Sequence, residues 1–362
     1  MTLEALYTEF STPGEVLFNL KLVNSCNFAC GHCMYSCKPL AAAKEVWMST
    51  HVLNQLLDLA GQFINKEQTV TFNLIGGEPT KNLKEFRRIL DYLLNDSRGN
   101  NITFEMTTNG WWLRSYDTLC EFALAVGPHI DRMAIRLSNS DYHDKFRSPV
   151  EKQIFAQHEK DIKAVYGDKI SSLERVFTYY FDYYSFDGVK CPKCAAQMFD
   201  PKCQECKEEM DEDDYYSLSD AGYNLPGQQW LQTLAESSKD GHIYIDRKIA
   251  GEDKVSPVGR AAKNGIGWQE TDCWDGRALF TFEPTGDIQG VCCVGGSVPL
   301  GNVDLGAWPL FVLAREYVQD RRQKPACSRC STCSYDSRLW IKQNKAGLLQ
   351  KALKYNHEST EA

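Results

Sequence analysis

The sequence has no apolar run of the about 20 residues needed to span a bilayer. It also has no excess of positive charge: the formal net charge is −8 at pH 7, which argues against broad electrostatic capture of nucleic acid or anionic lipid. The opening stretch MTLEALYTEFSTPGE lacks the basic and apolar regions of a signal peptide. These absences predict a cytoplasmic protein with no membrane partner, and they disfavour a nucleic-acid partner.

Internal repeats and low-complexity tracts are missing as well. The composition, 43% hydrophobic and 24% charged, is typical of a soluble globular protein. A chain of 362 residues is long enough for one large domain or two ordinary ones, each with its own core.

Cysteine is the residue type in excess, with 15 in the chain. An odd number in a cytosolic protein does not suggest a disulfide framework, because the cytosol keeps thiols reduced. All but Cys120 fall into three groups, at residues 26–37, 191–206 and 273–333. Cys120 lies on an apolar helical pattern and is predicted to be a core residue. Gaps of two and three residues in the groups indicate metal ligands, because such gaps let several thiolates converge.

Short apolar runs alternate with amphipathic helical stretches up to about residue 250. The predicted strands are residues 16–23, 69–75, 101–108, 132–138, 175–184 and 242–247; the predicted helices are 49–66, with Ser49 as N-cap, 83–95, 116–126 and 151–167. Repeated strand–helix units predict an α/β fold with a parallel sheet, either a partial barrel or a doubly wound sheet. Chemistry in such folds gathers at the carboxyl ends of the strands.

The pattern also predicts two additions to this unit. Residues 187–222 form an insertion that contains the second cysteine group and an acidic run. From residue 251 to 362 the chain changes to Gly-rich hairpins followed by two helices, which we interpret as a second, small α+β domain.

The first cysteine group follows the first strand directly. Its spacing, C-x3-C-x2-C, places Cys26, Cys30 and Cys33 on one tight turn, which suits three irons of a [4Fe–4S] cube. A closed electron-transfer cluster takes four cysteines, whereas three leave one iron open for chemistry. The alternative is that Cys37 closes the cluster as the fourth ligand. The scaffold and the spacing favour three ligands, with Cys37 not required for the chemistry.

These three cysteines, together with Gly76, Gly77, Glu78 and Pro79 at the end of the second strand, resemble the radical S-adenosylmethionine (radical SAM) superfamily over about residues 16–262. The resemblance implies a partial (β/α)6 barrel at residues 1–250. It also implies that SAM binds the open iron and is reductively cleaved to a 5′-deoxyadenosyl radical, which abstracts a substrate hydrogen. The reductant would be a flavodoxin or ferredoxin.

Further segments resemble SAM-binding parts of the family. The stretch TTNG supplies Asn109, the fourth strand supplies Arg136 and Ser138, and SPVGRAAKNG supplies Gly259. The sequence departs from the family where Ser138 and Asn139 replace an Asp-Gly pair. No residue is identified as the catalytic acid or base.

The third cysteine group resembles the SPASM/twitch extensions of radical SAM enzymes. The resemblance implies one auxiliary [4Fe–4S] cluster held by Cys273, Cys292, Cys330 and Cys333, with Cys327 as a rival ligand. A zinc site is the alternative for this group.

The middle group is C-x2-C-x8-C-x2-C and consists of Cys191, Cys194, Cys203 and Cys206. Paired C-x2-C knuckles favour a structural Zn²⁺, although the central gap is shorter than the usual gap of about 15–20 residues. Another iron–sulfur cluster is the alternative.

Three functions therefore stay open. The first is radical modification of a ribosomally made peptide by crosslinking, thioether formation or epimerisation, which could require a separate peptide-recognition protein. The second is two-electron dehydrogenation of a small metabolite such as an aminocyclitol. The third, from another class, is a non-catalytic iron–sulfur or zinc protein for electron transfer or binding.

Overall fold

The computed structural model describes residues 15–33, 35–65, 68–147, 152, 227, 230–231, 233–234, 243–248, 278–290, 299–322 and 337–360. The strands are β1 (Glu15–Lys21), β2 (Thr69–Ile75), β3 (Ile102–Thr108), β4 (Met133–Ser140), β5 (Ile243–Lys248), β6 (Ala278–Phe282), β7 (Asp287–Gly290) and β8 (Gly301–Asn302). The helices are α1 (Thr50–Ile64), α2 (Leu83–Asn95), α3 (Tyr116–Val126), α4 (Asp141–Asp144), α5 (Ala307–Arg322) and α6 (Ser337–Thr360). None of these described helices has the length and apolarity needed to cross a membrane.

The chain divides into two compact units. The first comprises residues 1–108, 140–145 and 247–362, and the second comprises residues 109–139 and 146–246.

The sheet of the first unit runs in the order β3-β2-β1-β6-β7-β8. Strands β3, β2, β1 and β6 pair in parallel, while β6, β7 and β8 form antiparallel pairs. Helix α1 connects β1 to β2, and α2 connects β2 to β3, as parallel pairing requires. This mixed α/β architecture confirms the predicted fold class and is consistent with a partial barrel.

The register aligns side chains in rows across the parallel strands. Phe104, Phe72, Phe18 and Phe280 are neighbours on one face, and all four are buried. The rings of Phe18 and Phe72 stack at 5.4 Å. Phe63 of α1 meets Phe18 edge-on at 5.7 Å. Since burying one such side chain stabilises a fold by about 1.5–3 kcal/mol, this row anchors the helices to the sheet.

The next residue of each strand points to the opposite face and is polar. Asn73 donates to Asn19 across β2 and β1 at 2.8 Å, with both side chains buried. Thr281 pairs in register with Asn19 and is 1% exposed. Within the described residues, Asn73 Oδ1 and Thr281 Oγ1 have no hydrogen-bond partner. The sheet therefore has an aromatic face and a polar face.

The helices begin where the sequence supplies caps. The Ser49 side chain accepts a hydrogen bond from Val52 N–H at the start of α1, which confirms the predicted N-cap. Asn82 accepts from Glu85 N–H at the start of α2 in the same way. Short polar residues at these positions satisfy backbone donors that the first helical turn leaves open.

In the second unit β4 and β5 are neighbours in the sheet. Cys120 of α3 is 1% exposed, so the prediction of a core cysteine is confirmed. Gly227 lies against this helix: a Cβ there would overlap the Cys120 carbonyl oxygen.

The predicted hairpin includes β6 and β7, and β6 pairs with β1 over Val16–Leu20 in the sheet of the first unit. The turn between β6 and β7 has Gly286 at φ +85°. The boundary at residue 251 stays a prediction. The predicted strand 175–184, the helix 151–167 and the insertion 187–222 lie outside the described residues, apart from Lys152.

Candidate functional site

The cysteine loop after β1 is closed on itself by backbone hydrogen bonds. Cys26 N–H donates to the Lys38 carbonyl at 3.1 Å, and this bond joins the two ends of the loop. Inside it, Cys33 N–H donates to the Cys30 carbonyl at 3.2 Å. The loop therefore gathers Cys26, Cys30 and Cys33 at the carboxyl end of β1, as the sequence predicted.

The Cys26 thiol is buried among groups that disfavour its ionisation. Burial raises the pKa of the Cys26 thiol, and the negative charge of Glu78 and the nearby Cys30 and Cys33 raise it further. The Phe28 N–H, which lies 3.3 Å from Cys26 Sγ, opposes these effects. A buried group of thiolates needs a positive centre to offset the mutual repulsion, and a liganded metal provides one.

The [4Fe–4S] cluster that the resemblance implies would take Cys26, Cys30 and Cys33 as its donor set. Among the described residues, no group of three or more His, Cys, Asp or Glu side chains is arranged to hold a single metal ion. A [4Fe–4S] cube requires a different arrangement, because each thiolate binds a different iron. Three buried or half-buried thiols on one closed loop, with the Phe28 N–H donating to Cys26 Sγ, fit that group.

The Gly76–Pro79 segment packs directly on the start of the cysteine loop. Gly77 N–H donates to the Val23 carbonyl at 2.9 Å, and Glu78 N–H donates to the Ser25 carbonyl at 3.1 Å. A Cβ on Gly77 would overlap the backbone of Ser25. Glycine is therefore required for the end of β2 to approach the loop so closely.

Glu78 is fixed by hydroxyl and backbone donors. Its side chain is buried, and its Oε1 accepts from Thr80 N–H at 3.0 Å, from Thr108 Oγ1 at 2.6 Å and from the Thr80 hydroxyl. Pro79 begins the short 3-10 helix Pro79–Lys81 that Glu78 caps. The carboxylate is thus held in one orientation beside the cysteines. Thr80 and Thr108 were missed as site residues, although both directly adjoin the predicted motifs.

Polar contacts of Lys81 also join this segment to the loop. Lys81 Nζ donates to Ser25 Oγ at 3.1 Å and forms an ion pair with Glu45. Burial raises the pKa of Glu45, but hydrogen bonds from Lys81 and Ser25 outweigh it and the net pKa is lowered. Glu45 therefore stays charged, and the contacts of Lys81 with Ser25 and Glu45 hold the start of the cysteine loop against the end of β2.

An ion pair that the sequence did not reveal lies at the end of β1, before the cysteine loop begins. Lys21, the last residue of β1, donates to both carboxylate oxygens of Glu283 at 2.9 and 2.7 Å. Lys21 Nζ also lies 5.4 Å from the centre of the Tyr35 ring. The parallel register of β1 and β6 places Lys21 and Glu283 at the same sheet edge.

Aromatic contacts join α4 to the loop. The His32 ring lies 4.8 Å from Tyr142 and 5.0 Å from His143, centre to centre. Phe28 lies 6.1 Å from His143. The histidine of the CGHC sequence therefore packs against the aromatic rings of α4.

Cys37 lies in the same loop and is buried at 6% exposure. Its Sγ is 3.8 Å from the Gly76 carbonyl oxygen and 3.8 Å from the Tyr35 carbonyl oxygen. The pKa of its thiol is raised, first by a hydrogen bond with Cys33 and then by burial, while Lys21 opposes the rise. The structure thus places a fourth thiol beside the three predicted ligands.

Three predicted cofactor-binding residues belong to the second unit. The Asn109 side chain accepts from Trp111 N–H at 3.0 Å, next to Gly110 at φ +79°. Arg136 and Ser138 lie on β4, and the Ser138 carbonyl accepts from Arg147 at 2.9 Å. Their contact with SAM stays a prediction.

The remaining predicted site residues lie outside the described parts of the chain. They are Gly259, the four cysteines at 191–206 (Cys191, Cys194, Cys203 and Cys206) and the five C-terminal ligand candidates (Cys273, Cys292, Cys327, Cys330 and Cys333).

Comparison with known proteins finds one family model that resembles part of the chain. The model of the Radical SAM superfamily matches residues 20–162. This stretch contains the cysteine loop and the Gly76–Pro79 segment. A comparison with curated proteins finds no match.

Several solved structures share low identity with the chain. anSMEcpe with bound AdoMet is 16% identical, with a TM-score of 0.39 over 86% of this chain and 81% of that one. BtrN in complex with AdoMet and 2-DOIA is 10% identical, with a TM-score of 0.41 over 89% and 93%. Streptococcus suis SuiB bound to S-adenosylmethionine is 13% identical, with a TM-score of 0.40 over 91% and 73%.

Proposed function

We propose that the protein is a radical SAM enzyme. The observation that carries the proposal is the closed loop of Cys26, Cys30 and Cys33 packed on a segment whose Glu78 is buried and held by three donors. A [4Fe–4S] cluster on these thiols would supply the electron that cleaves SAM to methionine and a 5′-deoxyadenosyl radical, which then takes a hydrogen atom from the substrate.

The residues of the chain have separate tasks in this proposal. Cys26, Cys30 and Cys33 hold three irons and leave the fourth for SAM. Gly76 and Gly77 bring backbone close to the cofactor, since neither has a side chain to interpose. Glu78 supplies negative charge for the cationic amino group of SAM. The hydroxyls of Thr80 and Thr108 keep that carboxylate in one orientation before SAM arrives.

SAM cleavage tests the proposal directly. The protein is reconstituted with iron and sulfide without oxygen, reduced with dithionite and incubated with SAM, and 5′-deoxyadenosine is quantified by chromatography. We expect wild type to form 5′-deoxyadenosine and Cys30→Ala to form none. Cys120→Ala, which removes a buried thiol from the second unit, is the matched control and keeps the activity. Cleavage by Cys30→Ala would contradict the ligand assignment.

For the substrate we propose a ribosomally made peptide, modified by crosslinking, thioether formation or epimerisation. The support is the resemblance of the C-terminal cysteines to SPASM/twitch extensions. The second candidate is two-electron dehydrogenation of a small metabolite such as an aminocyclitol, supported by the same extension. The neighbouring reading frames distinguish the two: a short precursor peptide supports the first, and a sugar or antibiotic pathway supports the second.

Metal analysis tests the two other cysteine groups. Cys273, Cys292, Cys330 and Cys333, or Cys327 in place of one of them, would hold an auxiliary [4Fe–4S] cluster. We expect Cys330→Ala to lose about four irons per chain and to keep uncoupled SAM cleavage. An unchanged iron count would exclude this ligand.

The cysteines from Cys191 to Cys206 would hold one structural Zn²⁺. Zinc in the purified protein that disappears in Cys194→Ser supports this assignment, whereas iron lost in its place supports a further cluster. Intact clusters without any SAM cleavage would instead favour a non-catalytic iron–sulfur protein. The reductant we propose is a flavodoxin or ferredoxin.

A further inference from the structure

We propose that Cys37 is an exchangeable fourth ligand of the cluster, which binds the open iron until SAM displaces it. The inference deepens the proposed function and rests on it. It differs from a permanently closed cluster, since the thiolate leaves when the cofactor arrives.

The first step is the position of Cys37 in the loop. The backbone bond from Cys26 N–H to the Lys38 carbonyl joins the first predicted ligand to the residue after Cys37. Cys37 is therefore held at the base of the same closed loop. Its side chain is as buried as those of Cys26 and Cys30, at 6% against 8% and 7% exposure.

The second step is the turn that brings Cys37 back to the other thiols. Ser36 N–H donates to the Cys33 carbonyl at 3.3 Å, and Ser36 has a φ of +55°. This left-handed conformation is uncommon outside glycine. The fold maintains it between the third predicted ligand and Cys37, so the chain turns back directly before Cys37.

The third step is charge. Lys21, the last residue of β1, is fixed by both oxygens of Glu283 and lies 5.4 Å from the centre of the Tyr35 ring, two residues before Cys37. A cation held at this part of the loop reduces the cost of adding a fourth negatively charged ligand to the three predicted ones.

The fourth step is the neighbour on the other side. Cys37 Sγ lies 3.8 Å from the carbonyl oxygen of Gly76, the first residue of the segment that the proposed function assigns to SAM. A thiol at that place and the amino acid part of SAM would compete for the same iron. When Cys37 binds iron, the thiol proton goes to solvent; when SAM replaces the thiolate, a proton returns to the sulfur, and no electron is transferred.

Mild oxidation without SAM tests the proposal by spectroscopy. Ferricyanide takes one electron from a [4Fe–4S]²⁺ cluster, and an iron without a protein ligand then leaves as Fe²⁺, giving [3Fe–4S]⁺. This product is measured by electron paramagnetic resonance. We expect wild type to keep most of its four-iron cluster and Cys37→Ala to convert, with Cys120→Ala behaving as wild type.

SAM affinity provides a second readout. When a ligand must displace a competing group, its apparent affinity is proportional to the fraction of sites that the competing group leaves open. If Cys37 occupies the iron nine-tenths of the time, Cys37→Ala binds SAM about tenfold more tightly than wild type. Cys37→Val, which places a branched apolar side chain without a thiol at this buried position, gives the same result if the alanine variant does not fold.

Two results of these experiments would overturn the inference about Cys37. Equal conversion to the three-iron form and equal SAM affinity in wild type and Cys37→Ala would overturn the inference. A folded Cys37→Ala protein that assembles no cluster would overturn it too, because Cys37 would then be a permanent ligand. Failure of the proposed function has a different result: the wild-type protein, with its clusters intact, would form no 5′-deoxyadenosine, whatever Cys37 does.

Discussion

Replacing Gly77 by alanine tests whether the Gly76–Pro79 segment must press on the cysteine loop. A Cβ at this position would overlap the Ser25 carbonyl and lie 2.6 Å from Cys26 N. Both neighbours are backbone atoms, so no flexible side chain can move aside. The loop start must shift, and two backbone hydrogen bonds, Gly77 to Val23 and Glu78 to Ser25, are strained or lost.

The magnitude follows from these contacts. Each of the two hydrogen bonds contributes about 1 kcal/mol, and forcing a methyl group into a packed site costs about 1–3 kcal/mol. Because the loop relaxes in part, we expect Gly77→Ala to lower the free energy of unfolding by about 2–4 kcal/mol. For a chain of this size, this corresponds to a drop in Tm of about 4–8 °C.

Urea unfolding of the metal-free protein measures this change, and the iron content after reconstitution measures its effect on Cys26. Gly61→Ala is the matched control: it lies within α1, and nothing lies within 4 Å of its added Cβ. That variant should gain about 0.5–1 kcal/mol, because alanine is the better helix former. If Gly77→Ala unfolds at the wild-type urea concentration and binds as much iron, the close packing described for this segment is wrong.

Three further substitutions test other parts of the structure. Ser36→Gly should raise the free energy of unfolding by about 0.5 kcal/mol. The left-handed backbone conformation of Ser36 costs about 1–2 kcal/mol, which exceeds the about 0.5–1 kcal/mol that glycine loses through its greater conformational freedom in the unfolded state. An unchanged free energy of unfolding in chemical denaturation would contradict the strain at Ser36. Thr281→Val removes a buried hydroxyl that has no hydrogen-bond partner in the described residues. This substitution should raise the free energy of unfolding by about 1 kcal/mol and Tm by about 2 °C. The control Thr285→Val, at an exposed position, should change Tm little. A hydrogen bond from Arg98 is the largest cause of the lowered pKa of Asp96; burial opposes it. The stabilisation that ionised Asp96 gives the folded state is therefore present above the ordinary aspartate pKa of about 3.9. It is lost as pH falls through the lower pKa of Asp96 in the folded protein. Asp96→Asn, which keeps a capping oxygen, should cost about 0.5–1 kcal/mol at pH 7 and nothing in strong acid; a cost that does not depend on pH would refute the role of charge.

The sequence predicted those features that depend on local pattern. Alternating apolar residues located β1 to β4 within two residues, and Ser49 marked the start of α1 because a hydroxyl before an amphipathic run caps a helix. The cysteine loop and Gly76–Pro79 were placed at one sheet edge, because parallel strands end together.

Features that depend on distant pairing were missed. The ion pair of Lys21 with Glu283 requires β1 to pair with β6, and the sequence indicated only that residues 278–290 form a hairpin. No local periodicity reveals that such a hairpin adds to a sheet begun some 260 residues earlier. Thr80 and Thr108 were missed for a similar reason, since their shared target is a single carboxylate oxygen contributed by Glu78.

The place of β1 between β2 and β6 has a consequence for biosynthesis. Lys21 and Glu283 are 262 residues apart, and ribosomes add about 5–20 residues per second, so one side of β1 stays without its neighbour for roughly 10–50 s during translation. An unpaired strand edge is a template for wrong pairing. The cysteine loop, although it is made early, therefore acquires the support of the Lys21–Glu283 ion pair only after Glu283 has been synthesised.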